Sequence, residues 1–206
     1  MILGLLKEQG SENRVALLPE TVQNLTDLKV EVLVEQDAGK IALATDDDYK
    51  KAGAKIVSRE KLFEKAEVLL QIQPPAEKDL QTIRKDQVWI SAFNPLWETQ
   101  LVKTFLEKEI TTFSLDSIPR TTRAQAMDIL SSMATVAGYK AVLEAALKLP
   151  TFFPMFMTAA GTIRPANVLI LGAGVAGLQA IATSRKLGAQ VQVFDVRSAV
   201  KEEVMS

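Results

Sequence analysis

The stretch "NVLILGAGVAGLQAIATSRKLGAQVQVFD" at residues 167–195 constrains this chain more than any other. Gly172, Gly174 and Gly177 stand as G-x-G-x-x-G between the apolar run "NVLIL" and the helical pattern "VAGLQAIATSRKLG". In that setting each glycine has a physical task. The first permits a tight turn out of a strand, the second lets backbone approach a pyrophosphate, and the third lets helix and strand pack closely. The helix start then offers unpaired N–H groups and the positive end of its dipole to phosphates. The next apolar run, "AQVQVF", ends at Asp195, where a carboxylate would accept hydrogen bonds from the adenine-side ribose hydroxyls. Asp195 would repel a 2′-phosphate, so the pattern favours NAD(H) over NADP(H), and Arg197 weakens that preference. The alternative is a Gly-rich turn that is only structural, with Asp195 an ordinary strand-end acid.

The remainder of the chain alternates in the same way. Short β-branched runs predict strands at "MILGLLKE", "VEVLVEQ", "AKIVS", "VLLQIQ", "VWISAF" and "ITTFSLD". Helical patterns lie between them at "PETVQNLTDL", "DDDYKKAG", "REKLFEKA", "EKDLQTIRK" and "ETQLVKTFLEKE". Alternating strands and helices imply a parallel sheet covered on both faces. A long helix follows at "AQAMDILSSMATVAGYKAVLEAALKL", whose many small residues suggest burial between two domains. Pro150 and Pro154 break it, and "FFPMFMTAAGTIRPAN" reads as a connector. The fold class is therefore α/β, with two Rossmann-like parallel-sheet units joined by a long helix and the second unit incomplete. The expected boundaries are 1–130 for the N-terminal α/β domain, 131–166 for the linker helix and connector, and 167–206 for the start of the cofactor domain.

Composition removes several chemistries. Lys and Arg number 24 against 25 Asp and Glu, so no basic field favours nucleic acid or an anionic membrane. There is no Cys and no His. Thiolate nucleophiles, Cys metal sites and imidazole bases are all excluded, and no metal site is expected. The start of the chain lacks the pattern of a signal peptide, and neither of its most apolar stretches reads as a membrane span.

Residues 118–132, "IPRTTRAQAMDILSS", are the second informative stretch. Thr122 and Gln125 form a capping-box pattern that predicts a helix start near Ala124. Gln125, Asp128 and Ser131 then share one polar face. Arg120 and Arg123 fall at the helix N-terminus, where positive charge opposes the macrodipole. On physics alone the segment is equally a solvated helix face or a place where an anion, ligand or partner compensates that charge.

"IPRTTRAQAMDILSSMATVAGYKAV", with "MTAAGTI", "LGAGVAGLQAIATSRKLGA" and "FDVR", closely resembles the NAD(H)-binding domain of proton-translocating nicotinamide nucleotide transhydrogenases. That domain belongs to the alpha subunit. The opening "KEQGSENRVALLPETV" resembles the start shared by that domain and alanine dehydrogenase. The resemblance implies that Arg120, Gln125 and Asp128 contact the nicotinamide end of NAD(H), with Ser131 close by. Arg120 and Asp128 are expected to pair, and Gln125 to reach toward NADP(H) held on a partner domain. The cofactor-binding set it implies is Gly172, Ala173, Gly174, Val175, Ala176 and Gly177, with Asp195, Val196 and Arg197. Implied partners are the transhydrogenase membrane domain and an NADP(H)-binding subunit, with a homodimer of this domain. The implied location is peripheral, on the cytoplasmic face of the inner membrane, without direct insertion.

Mechanism separates the two relatives. Amino-acid oxidation needs groups that move protons, and alanine dehydrogenases place an Arg, a Lys and a His around pyruvate. This chain keeps Arg14, has Gln71 and Gln73 where the lysines stand, and has no His. Hydride transfer between two nicotinamides needs only juxtaposed rings and excluded water. The expected function is thus the NAD(H)-binding component of a transhydrogenase, passing hydride from NADH to NADP⁺ while membrane subunits move protons. Arg14 is then read as a structural ion-pair residue. The alternatives are a truncated non-catalytic dimerising or regulatory module and an alanine dehydrogenase-like enzyme. The family's cofactor domain has further parallel strands, so the sequence is expected to be the leading portion of a larger domain, inactive alone and weak in binding NAD(H).

Overall fold

A computed structural model of the chain describes residues 1–205, which divide into two compact units, Met1–Ala126 and Met127–Ser206. All six strands expected in the first unit form: β1 (Ile2–Leu5), β2 (Glu31–Glu35), β3 (Lys55–Val57), β4 (Val68–Leu70), β5 (Val88–Ser91) and β6 (Thr111–Ser114). So do the five helices: α1 (Pro19–Asp27), α2 (Asp46–Lys51), α3 (Arg59–Lys65), α4 (Glu77–Thr82) and α5 (Thr99–Glu107). The strands are all parallel, in the order β3-β2-β1-β4-β5-β6. This is the doubly wound order, with its switch point between β1 and β4.

Strand alternation sends side chains to two separate cores. Leu3, Leu5, Val32 and Val34 pack with Val22 of α1 and Tyr49 of α2. Leu69 and Trp89 pack with Leu62 and Phe63 of α3 and Phe105 of α5. Each such side chain fully buried contributes about 1.5–3 kcal/mol. Gly4 lets α3 lie close on β1, because a Cβ there would meet Leu62 at 2.5 Å. The few polar groups in these cores are bonded in ways that join elements. The Tyr49 hydroxyl donates to the Leu17 carbonyl at 2.7 Å. Buried Gln87 donates from Nε2 to the Phe63 and Ala66 carbonyls at 2.9 and 2.8 Å, closing the end of α3.

The second unit contains α6 (Ile129–Lys148), a hairpin of β7 (Phe156–Thr158) and β8 (Gly161–Ile163), then β9 (Asn167–Leu171), α7 (Val175–Lys186), β10 (Gln190–Phe194) and α8 (Lys201–Met205). The hairpin is antiparallel and lies in the segment read from sequence as a plain connector. β9 and β10 are parallel, with Leu169 opposite Gln192. The small residues of α6 have a local use: Gly138 sits where a Cβ would come within 2.1 Å of the Ala176 carbonyl oxygen. Helices α6 and α7 therefore cross at backbone contact. Val142, Phe153 and Ala166 form the buried cluster beside that crossing, with Val168, Ala180 and Leu187 packed against it.

A glycine cradle and a carboxylate at the end of two parallel strands

The turn from β9 into α7 is built as the glycine spacing requires. Gly172 has φ +95°, in the left-handed region that disfavours side chains. Its N–H donates to the Phe194 carbonyl at 2.7 Å, tying the turn to the end of β10. Gly177 sits so close to that turn that a Cβ would lie 1.9 Å from the Gly172 carbonyl oxygen. Gly174 is the N-cap of α7, is exposed, and a Cβ there would meet nothing within 4 Å. The space over Gly174 is open, as close approach of a ligand to the backbone needs. The Leu178 N–H is the first to close an intrahelical bond, to the Gly174 carbonyl at 2.8 Å. Gly174 supplies no side-chain cap, so Val175, Ala176 and Gly177 turn helix-start N–H groups toward that space.

Asp195 follows β10 directly and lies beside this turn. Its Oδ2 accepts from the Ala173 N–H at 2.7 Å and its Oδ1 from the Arg197 N–H at 2.8 Å. The Arg197 guanidinium also forks onto it, from Nε at 3.1 Å and Nη2 at 3.0 Å. The guanidinium and the two backbone N–H groups hold the Asp195 carboxyl well below the usual carboxylate range. A cleft of about 280 Å³ opens beside the pair, lined by Ala173, Val193, Asp195, Arg197, Val200 and Lys201 among others. Val196 points out of this arrangement and is largely exposed. Val193, Val200 and Lys201 were not read from the sequence as site residues. The alternation along β10 could have marked Val193, whereas Val200 and Lys201 belong to a turn that no local pattern announces.

The Arg120–Ser131 stretch differs from the sequence expectation. Thr122–Met127 is a short 3-10 helix, not the start of α6, which begins at Ile129 with Asp128 as its N-cap. Asp128 wins because an ionised carboxylate is both a strong acceptor and favourable at a helix N-terminus. Its Oδ1 accepts from the Leu130 and Ser131 N–H groups, each at 3.0 Å, and its Oδ2 from the Ser131 hydroxyl at 2.6 Å. Asp128 and Ser131 are thus brought together, while Gln125 lies in the separate 3-10 turn and shares no helical face with them. Arg120 and Arg123 do not stand at the start of α6, so the expected conflict with its dipole does not arise. Arg120 and Gln125 are exposed residues of the first unit. Replacing Asp128 by Ala is expected to lower stability by about 1–2 kcal/mol through loss of the cap, with Asp128→Asn restoring most of it. Thermal unfolding of both variants checks this.

Arg14 is an ion-pair residue, as expected. Its Nε and Nη2 grip Glu12 at 2.8 and 2.6 Å and hold the Glu12 carboxyl down to about 2. Gln71 is buried just past β4 and Gln73 lies two residues further on.

Residues 4–137 match the family described as alanine dehydrogenase/PNT, N-terminal domain, and residues 141–206 match alanine dehydrogenase/PNT, C-terminal domain. The chain is 45% identical over 213 residues to an NAD(P) transhydrogenase subunit alpha polypeptide of Rhodospirillum rubrum, covering 100% of this chain and 56% of that protein. It superposes on the crystal structure of transhydrogenase from Sinorhizobium meliloti with a TM-score of 0.96 at 41% identity, covering 100% of this chain and 62% of that one. An L-alanine dehydrogenase structure matches with a TM-score of 0.87 at 26% identity, over 97% of this chain and 56% of that one. The chain spans about half the length of the Rhodospirillum rubrum relative it matches.

Proposed function

The chain belongs to the alanine dehydrogenase/PNT family, and from that premise we propose that it carries the NAD(H) site of a transhydrogenase alpha subunit. The observation that supports this most is the pairing of an open Gly174 with Asp195 across one turn. The donor set fits a dinucleotide. Helix-start N–H groups of Val175, Ala176 and Gly177 suit a pyrophosphate, and Asp195 suits a ribose diol. When bound, NADH supplies the hydride that a second nicotinamide accepts.

In this reading Arg120, Gln125 and Asp128 orient the nicotinamide end of NAD(H), with Ser131 beside Asp128. Arg120 pairs with Asp128, and Gln125 reaches toward NADP(H) on a partner subunit. The chain's own contribution is to bind, orient and exclude water, which needs no acid or base. Among the described residues no helix is long and apolar enough to cross a membrane. Proton movement is accordingly assigned to a partner membrane domain, on whose cytoplasmic face this chain sits as a homodimer. An alanine dehydrogenase reading has less support, since the sequence has no His and the Arg14 guanidinium grips Glu12.

The test is reconstitution with the NADP(H)-binding and membrane subunits of a transhydrogenase, following NADH-dependent reduction of an NADP⁺ analogue. Hydride transfer that requires this chain is the expected result. Saturable NADH binding without any transfer would instead favour a non-catalytic module.

A further inference from the structure

An ionised carboxylate offers about four acceptor positions, two on each oxygen. All four of Asp195 are filled. Two are taken by the Ala173 and Arg197 backbone N–H groups, which the fold fixes in place. The other two are taken by Nε and Nη2 of a single side chain, Arg197. The Asp195 side chain is 9% exposed and that of Arg197 is 58% exposed, so the cation can leave while the acid cannot. A ribose 2′,3′-diol has two hydroxyl donors and needs two acceptor positions on one carboxylate.

We propose that the Arg197 guanidinium occupies, in the free chain, the two Asp195 acceptor positions that an adenosine ribose takes on binding, so that Arg197 is an exchangeable latch on the cofactor site. The inference rests on the NAD(H) reading of that site and adds to it a residue that tunes affinity and nucleotide choice. Arg197 pulls in opposite directions for the two nucleotides. It competes with the ribose of NADH for Asp195. For NADPH it offsets the repulsion between Asp195 and a 2′-phosphate, because a guanidinium can pair with either anion. Lys201, which lines the same cleft, adds to the second effect only.

Removing the latch should therefore separate the two nucleotides. The Arg197→Ala chain is expected to bind NADH about three- to tenfold tighter and NADPH weaker by at least a similar factor, the range set by one side chain's pair of charge-assisted hydrogen bonds. The Arg197→Lys chain keeps the charge and loses the fork. It is expected to gain NADH affinity with little change for NADPH. Both are compared with the unsubstituted chain by fluorescence titration with NADH and NADPH, with circular dichroism to show that each variant is folded. NADH binding that Arg197→Ala weakens or leaves unchanged overturns the latch and leaves the cofactor reading standing. No NADH binding by any folded variant overturns the cofactor reading and the latch with it.

Discussion

Replacing Gly177 by Ala is expected to reduce NADH affinity at least about 100-fold and to destabilise the second unit by about 3 kcal/mol, the upper part of the range for overpacking. The added methyl would lie 1.9 Å from the Gly172 carbonyl oxygen, and no rotamer change can relieve a clash between two backbone segments. The turn cannot simply widen either. The Gly172 N–H is bonded to Phe194 at one end and the Leu178 N–H to Gly174 at the other. Helix α7 would have to move away from β9, carrying the N–H groups of its first turn with it. Gly174→Ala is the informative partner. Gly174 has φ −79°, which any residue adopts, and open space around its missing Cβ. That variant should keep wild-type stability to within about 0.5–1 kcal/mol, the scale of a benign surface change, while its methyl blocks the approach of a ligand. Thermal unfolding and NADH titration of the two variants together would separate folding from binding. If Gly177→Ala folded and bound like the parent, close packing of turn against helix would not be what builds the cradle.

The first unit has its own point of large effect. Replacing Arg59 by Ala is expected to cost about 3–5 kcal/mol, because it leaves two buried carboxylates without a counter-charge. Arg59 opens α3, where Ser58 caps the helix, and its guanidinium reaches the ends of neighbouring elements. Nη1 meets Glu35 at the end of β2 at 2.6 Å, while Nε and Nη2 fork onto Asp79 of α4 at 3.1 and 2.7 Å. Glu35 also accepts from the Lys7 N–H at 2.8 Å, and Asp79 from Gln9 Nε2 at 3.1 Å, so the segment after β1 is held by the same cluster. One residue thereby fixes four elements around the switch point of the sheet. Urea unfolding of the Arg59→Ala and Arg59→Lys chains measures the effect. Lysine should recover only part of the loss, since it cannot make the fork. A cost below about 1 kcal/mol would place this cluster with ordinary surface ion pairs.

The glycine cradle and the Arg59 cluster are unequally legible in the sequence. The glycine spacing is local, and so Gly172, Gly174 and Gly177 could be assigned their tasks from order alone. The alternation of strands and helices in residues 1–117 was legible for the same reason, since each element carries its own periodicity. Strand order was not, because nothing in "MILGLLKE" says that it pairs with both "VEVLVEQ" and "VLLQIQ". Arg59 was likewise invisible as a hub: Glu35 and Asp79 lie 24 and 20 residues away. The start of α6 was misread because two capping signals compete within one stretch. Thr122 with Gln125 and Asp128 are each plausible, and only the backbone decides between them. The β7–β8 hairpin escaped because "MTAAGTI" lacks the Asn-Gly or Asp-Gly pair that usually marks a tight hairpin turn. The fork of Arg197 on Asp195 spans only two residues, yet sequence spacing cannot tell a ligand-binding cation from one that pairs within the chain.

NAD(H) binding at this turn is tested most directly by titrating the purified chain with NADH and with NADPH, following nucleotide fluorescence, alongside the Asp195→Asn variant. The expected result is saturable binding of NADH, weaker binding of NADPH, and a selectivity between them that shrinks when Asp195 loses its charge. Failure of the folded chain to bind NADH, or equal binding of both nucleotides that Asp195→Asn leaves unmoved, would contradict the assignment.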